Sequence, residues 1–180
     1  ALAKAQPGKL NFASTGLGSM PHLAGELFKI AAGIDIVHVP YAGAAPATND
    51  VLGGHVQMLF ADVPVLLGNV QSGKLKALAV GSKARIATLP EVPTTAEQGL
   101  PAVEADNWYG MFAPPGLPAA VNARLHAMLV SAIKSQQVTS KLAAQGAITV
   151  GNSREDFQAY VKAEIAKWEK VIKTAGIKAN

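Results

Sequence analysis

Ser14, Thr15, Gly16, Gly18, Ser19 and His22 fall in a short stretch that joins an apolar run, Leu10 to Ser14, to a helical pattern starting near Met20. A helix N-terminus carries free N–H groups and a partial positive charge, so a turn entering one attracts anions. The hydroxyls of Ser14, Thr15 and Ser19 are further donors, and the glycines let backbone come close to a ligand. No Lys or Arg lies between Lys9 and Lys29. An anion held here would meet dipoles and hydroxyls rather than a fixed cation, which suits a small carboxylate that is later released. His22 reads as a polar first-turn residue near solvent, with ligand contact as the alternative.

Covalent and nucleotide chemistry find no footing in the same residues. Gly16-Leu17-Gly18-Ser19-Met20-Pro21 has proline where a dinucleotide fingerprint needs its third glycine, and no acidic residue closes the next strand. Ser19 is not followed by the glycine of a nucleophile elbow. A Gly-Lys-Ser/Thr phosphate loop is absent. His22, His38, His55 and His126 are far apart in sequence, on different elements, and lack metal-ligand spacing. No pair of carboxylates is placed for acid–base work. An enzyme is not expected, nor a metal or cofactor.

The elements that must position the turn follow a repeating order. Leu10–Ser14 reads as a buried strand, and Met20–Ala32 as a helix with Ser19 as N-cap, Pro21 in the first turn and Gly33 beyond the end. Ile34–Val39 is a second strand, leading through Tyr41, Gly43, Ala44, Ala45 and Pro46 into a short helix, Ala47–Leu52. Tyr41 either lines a cleft with its hydroxyl donating or packs on the core, and Asp50 caps or pairs locally. Val56–Ala61 is a third strand, and Asp62 caps a helix with Pro64 just inside it, the alternative being direct ligand contact. Leu75–Val80 makes a fourth strand. Strands alternating with helices specify a parallel α/β sheet whose ligands bind outside the carboxyl ends of the strands. The turns at Ser14–Ser19, Tyr41–Pro46 and Ala61–Asp62 would then open on one edge.

The texture changes later in the chain. Thr94 and Glu97 have capping-box spacing for a one-turn helix. Val103–Phe112 reads as a long strand crossing between two lobes, bounded by proline-rich loops. Helices follow over Pro118–Ser135, Val138–Gln145 and from Ser153 to Gly176, with Ile148–Val150 as one more strand. The opening Ala1–Gln6 has helix formers but no N-cap, as if it began inside a longer chain.

Composition narrows the classes. The 180 residues hold 49% hydrophobic and 16% charged residues, the signature of a well-buried globular protein. The net charge of +4 arises from scattered residues with no basic cluster, so nucleic-acid binding is not expected. With no cysteine, disulfides, thiolate metal sites and thiol nucleophiles are excluded. No apolar run approaches the roughly 18–20 residues of a membrane span.

Three stretches carry a resemblance: Ser14 to Phe28, His38 to Ala47 with Asp50-Val51-Leu52-Gly53-Gly54, and Gly73 to Val80. Leu89 to Thr94, Trp108-Tyr109-Gly110 and Ala113-Pro114-Pro115-Gly116 continue it in order. The chain resembles the extracytoplasmic solute receptors of tripartite tricarboxylate transporters, the Bug or TctC family. That resemblance implies a type II periplasmic-binding-protein fold, two lobes closing on a small carboxylate without catalysis and delivery to membrane permease subunits. It assigns residues 1–107 to a second lobe and 108–180 to a crossing strand and the helical end of the first. Its ligand turns would be Ser14, Thr15, Gly16, Gly18, Ser19 and His22; Tyr41, Gly43, Ala44, Ala45 and Pro46; and Ala61 with Asp62. The family's first strand and glycine-rich turn have no counterpart in this sequence. The chain alone is therefore expected to hold half a site, to bind carboxylates weakly and to self-associate through exposed apolar faces. A ligand-sensing regulatory domain on the same scaffold is the alternative reading.

Overall fold

A computed structural model describes residues 1–178. Its centre is a three-stranded parallel sheet of β1 (Asn11–Ser14), β2 (Val37–Pro40) and β3 (Met58–Leu59), in the order β2-β1-β3. Among the described residues seven helices accompany it: α1 (Leu2–Ala5), α2 (Met20–Ala32), α3 (Ala44–Leu52), α4 (Val63–Gln71), α5 (Ala119–Ile133), α6 (Gln136–Ala143) and α7 (Arg154–Ala175). Ser14 is in register with Pro40, and Ala13 with Leu59, so all three strands end along one edge.

Successive side chains of a strand face opposite ways, and β1, with neighbours on both sides, buries both faces. Phe12, Ala13 and Ser14 are fully buried. Ala13 packs with Ala47 of α3 and Val56, while Phe12 meets α2 and Phe60, with the Phe60 ring edge-on at 5.5 Å between centroids. Helix α2 comes so close to Phe12 that a Cβ on Gly25 would lie 2.2 Å from its ring. A second contact holds the end of the chain in place: Leu23 of α2 packs on Trp168 and Val171 of α7.

Several helix ends follow the local chemistry. Ser19 Oγ accepts the His22 N–H at 3.3 Å, and Gly33 closes α2 with φ of 59°. Ser153 Oγ accepts the Asp156 N–H at 3.0 Å and donates to the Asp156 carboxylate at 2.7 Å. The shorter Asp thus answers the hydroxyl rather than the backbone N–H that Glu reaches in a capping box. Thr94 and Glu97 do form that box, with bonds of 2.7 and 3.1 Å, around a single turn.

The structure corrects several expectations. Residues 75–80 are not a strand; Val80 makes one parallel bridge to Thr94 and packs with Ile86, Leu89 and Val92. Residues 103–112 and 148–150 are not strands either, because among the described residues no strand lies beside them to pair with. Helix α3 starts at Ala44 rather than Ala47, with Gly43 as its N-cap. Asp62 stands at the α4 N-cap, but its side chain does not cap; it accepts from Asn107 Nδ2 at 2.9 Å.

The Gly25 contact yields a paired test. Gly25→Ala forces the Phe12 ring or α2 to move and should destabilise the chain by about 1–3 kcal/mol. Gly68→Ala, inside α4 with open space around it, should instead stabilise by about 0.5–1 kcal/mol. Urea denaturation of both variants checks this; equal effects would contradict the packing.

Candidate functional site

The three turns lie together on the edge where the strands end. Tyr41 N–H donates to Ser14 O at 3.2 Å, joining the second turn to the first, and Phe60 N–H donates to Ala13 O at 3.1 Å ahead of the third. Each turn opens a helix: α2, α3 and α4 all begin at this edge.

Ser14 points inward. Its buried hydroxyl lies 2.7 Å from His38 Nε2, donates to Gly16 O at 3.1 Å and accepts the Gly16 N–H at 3.2 Å. That hydroxyl has no capacity left for a ligand. Ser19 Oγ donates to Gly16 O at 2.7 Å while capping α2, so it too is engaged. Gly16 and Gly18 adopt φ of 136° and 73°, a region that side chains disfavour. What the turn leaves unpaired is mostly backbone. Among the described residues, the N–H groups of Thr15, Leu17 and Met20 have no acceptor, and neither has the Thr15 hydroxyl.

His22 is corrected from a residue near solvent to a buried one, only 3% exposed. Its ring stacks on His38 at 3.8 Å between centroids and 18° between planes. Gly18 N–H donates to His22 Nδ1 at 3.0 Å, so the ring is neutral with its proton on Nε2. Two of the four histidines expected to lie apart, His22 and His38, therefore meet, and His38 is the site neighbour that sequence reasoning did not single out. It stands beside Phe12 in the register of β2 with β1, a pairing that only the folded sheet reveals. Among the described residues no group of His, Asp and Glu is arranged to hold a metal.

Burial lowers the pKa of both rings. For His38, burial and then the neighbouring His22 and Lys29 bring it to about 4. For His22, burial dominates, with Glu26 opposing and Lys29 adding to it. Lys29 is itself paired with Glu26 at 3.0 Å.

The second turn supplies the start of α3. The N–H groups of Gly43, Ala44 and Ala45 have no acceptor among the described residues, and Pro46 has no N–H to give. Tyr41 is half-buried; its hydroxyl donates to Asp50 at 2.7 Å, the local pairing expected for Asp50, and this bond raises the phenol pKa. Ala61 and Asp62 are half-buried at the third turn, with Asp62 committed to Asn107.

The sequence profile described as "Tripartite tricarboxylate transporter family receptor" matches residues 1–177. The chain belongs to this family. Relatives in it agree: a Pseudomonas sp. (strain P51) protein described as "UPF0065 protein in tcbD-tcbE intergenic region" is 40% identical over 179 residues. That match takes in 99% of this chain and 53% of the relative. A structure described as a periplasmic transporter superposes with a TM-score of 0.86 at 38% identity, over 98% of this chain and 59% of that one. An R. palustris protein solved with adipate gives 0.84 at 37% identity, with the same coverage. The fold is thus periplasmic-binding-protein-like, with a parallel sheet. The chain spans about half the length of the curated relatives it matches.

Acid should loosen this site. Both histidines titrate lower in the folded chain than the 6.5 of a free ring. The unfolded chain therefore takes up protons first as pH falls. The contribution of His38 is complete above pH 6.5 and is lost between 6.5 and about 4, and that of His22 is likewise lost as pH falls below 6.5. Urea midpoints measured at intervals from pH 7.5 to 4.5 should fall across that window, and less steeply in His38→Phe. Parallel profiles for the two proteins would show that the pair does not titrate in this way.

Proposed function

We propose that the chain is the ligand-gripping part of an extracytoplasmic receptor that binds a small carboxylate and hands it to the permease of a tripartite transporter. The observation that carries this reading is the set of acceptor-free N–H groups at the starts of α2 and α3, on one sheet edge, with Lys29 of α2 already paired to Glu26. Such groups bind anions through dipoles. Thr15, Leu17, Met20, Gly43, Ala44 and Ala45 supply the donors, and the carboxylate reaches them directly or through bridging waters. Ser14, Ser19 and His22, expected to touch ligand, shape the first turn instead. No step is covalent.

The adipate held by the R. palustris neighbour supports a dicarboxylate as the ligand class. Residues 1–107 form one lobe and 108–180 return to the other, closing on the ligand about the segment near Trp108. Closure signals occupancy to the membrane subunits. The likeness to a periplasmic transporter supports an extracytoplasmic location, and no helix among the described residues is long and apolar enough to cross a membrane.

One lobe supplies only part of the grip. Isothermal titration of the 180-residue chain with succinate, malate, adipate and citrate should give dissociation constants no tighter than about 1 mM, or about 4 kcal/mol. The natural protein, with any residues that flank this chain, should bind one of them near or below about 1 μM. Micromolar binding by the 180-residue chain would overturn the two-lobed grip. No binding by the natural protein would overturn the receptor.

A further inference from the structure

We propose that His38 is a positioning residue for the ligand turn: through Ser14 it clamps the first turn to β2, and so sets that turn against the second. The inference rests on the carboxylate-receptor reading for its meaning, but its geometry stands independently. Ser14 is gripped by β2 and its continuation at two atoms. His38 Nε2 lies 2.7 Å from its Oγ, and Tyr41 N–H reaches its carbonyl at 3.2 Å.

The grip continues into the turn. Ser14 Oγ pairs with both the N–H and the carbonyl of Gly16, and Ser19 Oγ reaches the same Gly16 carbonyl at 2.7 Å. The His38 ring is held by Phe12, 5.0 Å away, and by the stacked His22, which itself holds Gly18 N–H. Every hydrogen bond that shapes residues 14–19 from within thus passes through Ser14, Ser19 or His22, and His38 backs two of these three. With those groups turned inward, the N–H groups of Thr15, Leu17 and Met20 are left facing no acceptor. A turn in this geometry is pre-organised, which lowers the cost of binding. His38 touches no ligand donor itself; it acts through Ser14 and His22.

The test uses the natural protein with three substitutions. His38→Phe keeps a ring for the stack and removes the bond to Ser14. His38→Gln places an amide nitrogen near the Nε2 position and restores the bond. Ser14→Ala removes the other partner. Amide hydrogen exchange at Gly16 and Gly18 should speed up about tenfold in His38→Phe, the loss of one hydrogen bond, while Leu27 inside α2 is unchanged. Affinity for the tightest of succinate, malate, adipate and citrate should fall about tenfold, and His38→Gln should recover both readouts to within about threefold.

Ser14→Ala with His38→Phe should bind no more weakly than the weaker single variant, because both break one link. Unchanged exchange at Gly16 and Gly18, a uniform loss of protection through α2, or additive losses would each overturn the proposal. If the natural protein binds none of the four acids, the receptor reading falls, and the exchange data alone decide whether His38 holds the turn.

Discussion

Ser14 is fully buried at the end of the central strand, and a hydroxyl left unpaired there would cost about 1–3 kcal/mol. Its pairing with Gly16 and His38 meets that demand and dictates the path of the next five residues. Gly16 can answer both lone pair and proton only by folding back at a φ of 136°. Ser19 then closes on the Gly16 carbonyl and caps α2, and the helix begins where this loop leaves it. Turning the Ser14 and Ser19 hydroxyls and His22 inward is what leaves backbone N–H groups unpaired. The anion-attracting face is a consequence of satisfying the buried side.

An edge made this way has an unusual charge balance for an anion site. The basic group closest along α2, Lys29, is already neutralised by Glu26 at 3.0 Å, and burial disfavours the charged form of both histidines. Attraction comes from helix ends, worth roughly half a charge each. An Arg clamp would hold a carboxylate through two charge-assisted bonds and fix one geometry. Dipoles with bridging waters hold it more loosely and accept carboxylates of different shapes. Under the proposed receptor role this would favour release to a second protein and leave the side chains of the turns little part in choosing the acid.

Much of the arrangement was legible before any coordinates. The boundaries of α2 came from Ser19, Pro21 and Gly33, and the common edge of the three turns came from the alternation of strands and helices. The roles of individual side chains were harder. Ser14, Ser19 and His22 have the chemistry of ligand donors, and whether each faces in or out depends on contacts from other elements. His22 is buried because His38 lies over it, and that contact spans sixteen positions between α2 and β2. Asp62 has the right type and position for a cap, yet its carboxylate goes to Asn107, 45 residues away. Local propensity fixes where a helix starts and cannot decide between a nearby N–H and a distant amide.

The same limit explains the strands that did not form. Val103–Phe112 and Ile148–Val150 have strand composition, but a strand exists only through its partner. Tyr109, Met111, Phe112, Ile148 and Val150 stay exposed, while Trp108 and Phe112 are held by Phe157 and Tyr160 of α7. Gly110 lets this segment approach α7 so closely that a Cβ would meet the Phe157 ring at 2.2 Å. The later part of the chain is therefore tied to the sheet at few points. Trp168 and Val171 pack on Leu23, just behind the first turn, and Asn107 holds Asp62 at the third. A shift of the later segment has to carry or break these contacts, and both sit beside the turns that offer free N–H groups. Motion of the later segment would thereby reach the turns through specific side-chain contacts, Trp168 and Val171 on Leu23 and Asn107 on Asp62 among them.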